Sequence, residues 1–79
     1  MAMTEKQIYR RMSEAWNELY SQYEDEAEWY GDDNSHIWRC DIPSKGITIK
    51  MEMDEKKKII KIYERPYYGE WEKVNSYKW

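Results

Sequence analysis

The chain has 79 residues and a net charge of −3, with five Trp, eight Tyr and no Phe. Such a length makes one domain, residues 1–79, that buries about 60% of its unfolded surface and has no room for a large dry core. A single cysteine, Cys40, rules out an intrachain disulfide, and no apolar run approaches the roughly 18 residues of a membrane span.

Thr4 is placed as a helix N-cap, with Gln7 completing a capping box and Met3 and Ile8 set for a hydrophobic staple. Ile8, Met12, Ala15, Trp16, Leu19, Tyr23, Ala27 and Tyr30 then recur at helical spacing, and Gly31 is a stop residue. The pattern predicts a helix over residues 4–30. On its opposite face Glu14, Glu18, Asp25 and Glu28 project together, and Asp32 continues the line. Arg10 and Arg11 can reach Glu14, but the later acids have no cation within the helix. Like charges at i,i+4 cost about 0.2–0.5 kcal/mol per pair, and acids in a last turn oppose the helix dipole by about 0.3–1 kcal/mol each.

After a loop at residues 32–35 the period changes to two. Residues 36–42 read as a strand with Trp38, Cys40 and Ile42 on one face, followed by a turn at Pro43-Ser44-Lys45-Gly46. Residues 46–54 alternate, with Ile47, Ile49, Met51 and Met53 inward and Thr48, Lys50, Glu52 and Asp54 outward. A charged hairpin connection leads to a strand over residues 58–65, with Ile60 and Ile62 inward, which Pro66 ends. Residues 71–79 fit either a short fourth strand or an ordered tail. The expected fold class is α+β: one long N-terminal helix packed on a three- or four-stranded antiparallel sheet, in the order αβββ(β).

Charge is unevenly spread. Residues 1–33 carry nine acids against three bases, and residues 34–79 carry ten bases against seven acids. Between Met12 and Trp38 there is no Lys or Arg, but there are eight carboxylates and six Trp or Tyr rings. By helical angle Trp29 falls beside the acidic face, near Asp25 and Asp32. An indole among carboxylates suits an interface with Arg or Lys. Acids at helical spacing lie about 4.5–6 Å apart along the axis. A DNA strand carries a charge every 3.4 Å or so, and the acidic line is a thinner version of that run. The expected partner-binding residues are Glu18, Glu24, Asp25, Glu28, Trp29 and Asp32.

Catalytic chemistry finds little material. His36 and Cys40, the one His and the one Cys, would share a strand face about 13 Å apart, too far for a nucleophile and its base. The acidic loop lacks the Gly and closing Glu of an EF-hand, and three isolated glycines make no phosphate loop. No catalytic residue, metal site or cofactor is expected. The lone cysteine makes a reducing cytosol the expected setting, and no basic region followed by an apolar run marks a signal peptide.

The segment YEDEAEWY at residues 23–30, with Trp16-Asn17 upstream, resembles the acidic stretch of phage-encoded anti-CRISPR proteins that inhibit type II-A CRISPR nucleases. The resemblance implies a DNA mimic whose carboxylates Glu24, Asp25, Glu26 and Glu28, framed by Tyr23, Trp29 and Tyr30, occupy the basic cleft that reads duplex DNA. In those relatives the acidic stretch follows the sheet, whereas here it precedes it. The expected function is therefore a non-enzymatic phage or mobile-element inhibitor that binds the basic nucleic-acid site of a host protein. Two alternatives stand beside it. One is a self-associating structural or regulatory module, a homodimer joined through Tyr9, Tyr20, Tyr67, Tyr68, Trp71 and Trp79. The other is a single-strand nucleic-acid binder using Lys56, Lys57, Lys58 and Tyr63, against which the overall acidity of the chain weighs.

Overall fold

The computed structural model describes residues 2–31 and 34–79. It is an α+β fold: one helix, α1 (Glu5–Tyr20), lies on a five-stranded antiparallel sheet of β1 (Glu28–Trp29), β2 (Ile37–Ile42), β3 (Ile47–Asp54), β4 (Ile59–Pro66) and β5 (Glu72–Lys78). The sheet order is β1-β2-β3-β4-β5, a meander in which each strand pairs with its neighbour in sequence.

The capping box forms as the sequence predicts. Thr4 Oγ1 accepts the Gln7 N–H, and the Gln7 side chain accepts the Thr4 N–H. Such a box satisfies two of the helix's orphan donors at once. Arg11 reaches Glu14 at 3.2 Å. The buried stripe of α1 is Ile8, Met12, Ala15, Trp16 and Tyr20. It packs on the inward row of the sheet, with Cys40 and Ile42 from β2, Ile49, Met51 and Met53 from β3, and Ile60 and Ile62 from β4. Burial pushes the Cys40 thiol up to about 12, which leaves it a core side chain and no nucleophile.

The predicted helix over residues 4–30 is too long. The α-helix stops at Tyr20, a 3-10 turn takes Ser21–Tyr23, and a turn over residues 24–26 reverses the chain. No basic side chain stands in the last turn of α1 to complement its C-terminal dipole. Continuing the helix would have stacked Glu24, Asp25, Glu26 and Glu28 on that end. The chain breaks instead, and two contacts fasten the break to the β2–β3 hairpin. Glu26 Oε1 accepts the Ser44 N–H at 3.0 Å, and Lys45 Nζ sits 5.4 Å from the Tyr23 ring centre.

Beyond the turn, Glu28 and Trp29 form an edge strand that the sequence reading missed, pairing Glu28 with Asp41 and Trp29 with Cys40. Residues 71–79, left open between strand and tail, contain β5. A bulge opposite Ile62 and Tyr63 takes up Val74, since Asn75 pairs with Ile62 and Lys73 with Tyr63. The turns fall where the sequence places them to within a residue: Lys58, read as the start of a strand, belongs to the β3–β4 turn. Gly46 takes φ +63°, where a side chain would be strained, and Lys58 occupies the same region at φ +53° without that freedom.

Candidate protein interface

The acidic line expected on one helix face does not form, because its members lie on different elements. Glu18 is on α1, on the flank that faces β5. Together with Glu14 it raises the Tyr77 hydroxyl, whose first cause is burial. Glu24 and Asp25 are exposed in the turn after the 3-10 segment, and Glu28 is exposed on β1. Asp32 lies outside the described residues. Among the described residues, Glu18, Glu24, Asp25 and Glu28 make no ion pair.

Trp29 is also placed differently. Its pairing with Cys40 turns the indole toward the helix side of the sheet. There it meets Trp16 edge-on at 4.8 Å between ring centres and Trp38 at 5.6 Å. Tyr9 of α1 adds a fourth ring, 5.3 Å from Trp38. Trp29 remains 45% exposed, so it belongs to the core on one side and to the surface on the other. Tyr30, read as core, is exposed instead. Its ring lies under Arg39 at 4.8 Å and its hydroxyl donates to Asp41 Oδ1 at 2.9 Å.

These rings floor a cleft of about 580 Å³ between α1 and the β1 edge. Tyr9, Trp16, Trp29 and Trp38 give it aromatic walls, Asn17, Ser13, Asn34 and Ser35 give it polar ones, and Glu24 is its one described carboxylate. Apolar walls with a few placed polar groups make a recognition site, and aromatic faces beside a carboxylate favour a cation.

The other side of the β1 edge is acidic. Glu28 stands directly across the ladder from Asp41, a like-charge arrangement that destabilises a sheet. Hydroxyls of Thr48 and Tyr30 both donate to Asp41 Oδ1, at 2.7 and 2.9 Å, and hold that carboxylate in place. Nearby, Tyr67 has its hydroxyl pushed up, first by burial and then by Asp41, Glu28 and Glu26. The turn and β1 therefore carry negative charge on both sides of a half-exposed indole.

The remaining sequence candidates fall elsewhere. His36 precedes β2, with Nε2 3.3 Å from Glu55 Oε1. No group of three or more His, Cys, Asp or Glu side chains among the described residues is placed to hold a metal ion. No helix among them is long and apolar enough to cross a membrane. Of the rings proposed for self-association, Tyr20 is buried, while Tyr9, Tyr67 and Tyr68 are exposed. Lys56, Lys57 and Lys58 sit in the β3–β4 turn, whereas Tyr63 lies mid-strand in β4. No family model matches this chain, and no curated protein or solved structure matches it.

Proposed function

We propose that the protein is a non-enzymatic inhibitor that occupies the basic nucleic-acid site of a host protein, acting as a DNA mimic. The resemblance of residues 23–30 to type II-A anti-CRISPR proteins makes a type II CRISPR nuclease the first target to test. The observation that carries this reading is the Glu28–Asp41 pair. The chain places two carboxylates opposite each other in its edge ladder, at a cost in stability. Glu24 and Asp25 extend the negative surface along the turn, and Trp29 supplies the aromatic anchor between them. The mimicry is that of a bent segment, turn plus edge strand, rather than of a straight helical row. Glu18, on the far flank of α1, plays a secondary part by long-range attraction.

The test is charge reversal. Asp25→Lys with Glu28→Lys removes two exposed acids that support no described packing, so circular dichroism and melting should be unchanged or improved. Capture of DNA- or RNA-processing proteins from bacterial cytosol should be lost, as should inhibition of target-DNA binding by a purified type II-A nuclease. A reversed protein that still inhibits its target refutes the mimicry. Binding by the unmodified protein should weaken with salt, mainly through the association rate.

A further inference from the structure

The sheet has a second face, which α1 does not cover; Glu28 and Asp41 stand at its β1–β2 margin, and its β3–β5 part has the opposite character. Strand register places Lys50 of β3, Tyr63 of β4 and Lys73 of β5 in one row across three strands. Two residues along β4 from Tyr63, Arg65 emerges on the same side. Trp71, just before β5, lies against both strands: Lys50 Nζ is 4.5 Å from its ring centre and the Arg65 guanidinium carbon 4.9 Å. Lys50 also lies 4.9 Å from the Tyr63 ring centre. Two rings and three cations thus interleave on one open surface.

The acids on this face are already engaged or stand at its margins. Glu52 pairs with Lys50 at 3.5 Å, Asp41 holds the hydroxyls of Thr48 and Tyr30, and Asp54 accepts the Lys57 N–H in the β3–β4 turn. Arg65 carries a second mark. Its Nε is out of reach of solvent and has no hydrogen-bond acceptor among the described residues. A buried donor without an acceptor is unfavourable, and an incoming anion would relieve it.

We propose that this face binds single-stranded nucleic acid, with bases stacked on Tyr63 and Trp71 and phosphates held by Lys50, Arg65 and Lys73. Flat rings interleaved with cations on an exposed sheet match what a strand with free base faces requires. In the free protein Lys50 and Arg65 cover the rings. A base takes their place on the ring, and each displaced cation turns to the flanking phosphate, where the Arg65 Nε–H finds its acceptor. The acidity of the whole chain hid this surface, because strand register gathers Lys50, Tyr63 and Lys73 into one row that the linear sequence keeps apart. The site uses other residues than the acidic interface, although Arg65 shares a cross-strand row with Thr48, Asp41 and Glu28, and its variants leave Asp25 and Glu28 untouched.

Fluorescence anisotropy with labelled homopolymers of about 12 nucleotides, single-stranded DNA and RNA in separate arms and a duplex as control, tests the proposal. Either single strand should bind in preference to duplex. Affinity should fall as salt rises from about 50 to about 200 mM. Tyr63→Ala and Trp71→Ala should each weaken binding about 5- to 150-fold. Lys73→Gln, at an exposed position, should weaken it and flatten the salt dependence, while Lys56→Gln with Lys57→Gln in the turn should do neither. If Trp71→Ala fails to fold, Lys73→Gln and a chemical-shift map of the unmodified protein carry the test. Shifts confined to β3, β4 and β5 support the site. Absence of binding in both arms, or binding unaffected by Lys73→Gln, overturns it. So does sedimentation showing a dimer that buries Trp71, which would make a second copy the occupant.

Discussion

The Tyr20 hydroxyl donates to Glu64 Oε2 at 2.8 Å, joining the last residue of α1 to the middle of the sheet. Burial first, then Glu64, raises the Tyr20 hydroxyl above its ordinary value of 10.0. A group whose folded value is raised contributes stability that is complete below its unfolded value and is lost as pH rises beyond it. Stability should therefore fall as pH climbs above 10. Tyr20→Phe should lower stability at neutral pH by about 1–3 kcal/mol, since Glu64 loses its donor. It should also flatten the alkaline limb, and denaturant midpoints across pH measure both effects.

The Glu26–Ser44 contact has the opposite sign. The Ser44 side chain and backbone hold the Glu26 carboxyl below its ordinary 4.5. A depressed carboxylate stabilises above its unfolded value, and the contribution disappears as pH falls through the lowered folded value. The difference in urea midpoint between the parent and Glu26→Gln should be largest near neutral pH. It should vanish in acid, and a difference that persists there would deny the ionised carboxylate its role in fastening the turn.

Trp29 serves the fold and the surface together. Trp29→Ala removes ring contacts to Trp16 and Trp38 and should cost about 1–3 kcal/mol in thermal or urea unfolding. Near-ultraviolet dichroism should weaken as the indole cluster is lost. Binding should fall as well, in contrast to the Asp25 and Glu28 reversals, which should abolish binding while stability stays unchanged or rises.

Lys58 sits at φ +53° in the β3–β4 turn, a conformation unfavourable to a residue with a Cβ. Lys58→Gly should stabilise the protein by about 0.5–1 kcal/mol, with the gain seen in urea unfolding. The same exchange at an exposed residue of α1 such as Lys6 should destabilise by a similar amount.

Much of this architecture is legible in the letters. Thr4 and Gln7 announce where α1 starts, and alternation from Ile47 to Met53 announces a strand with one buried face. The end of α1 is harder to see. Tyr23, Ala27 and Tyr30 continue the helical period, yet Trp29 also fits the two-residue period of the strand that actually forms. The signal lay in the electrostatics. A row of acids with no balancing cation, at the negative end of a helix, marks where the helix stops. The candidate site was legible as composition, in Glu24, Asp25, Glu28 and Trp29, but not as geometry, because a helix of ten extra residues would have drawn them into one line. The sheet surface of Tyr63 and Trp71 was harder still to see, since the partners of each ring come from other strands and only register brings them together.

The meander order has a kinetic consequence. Each strand closes onto the one just before it, so every pairing from β1 to β5 needs only a short loop. Short loops keep the entropy of closure low, and chains dominated by local contacts fold quickly. Hairpins can add one after another, and the docking of α1 onto the sheet, as in the Glu14–Tyr77 contact, is the step that demands a long reach. A protein assembled in that way can reach its working shape soon after synthesis.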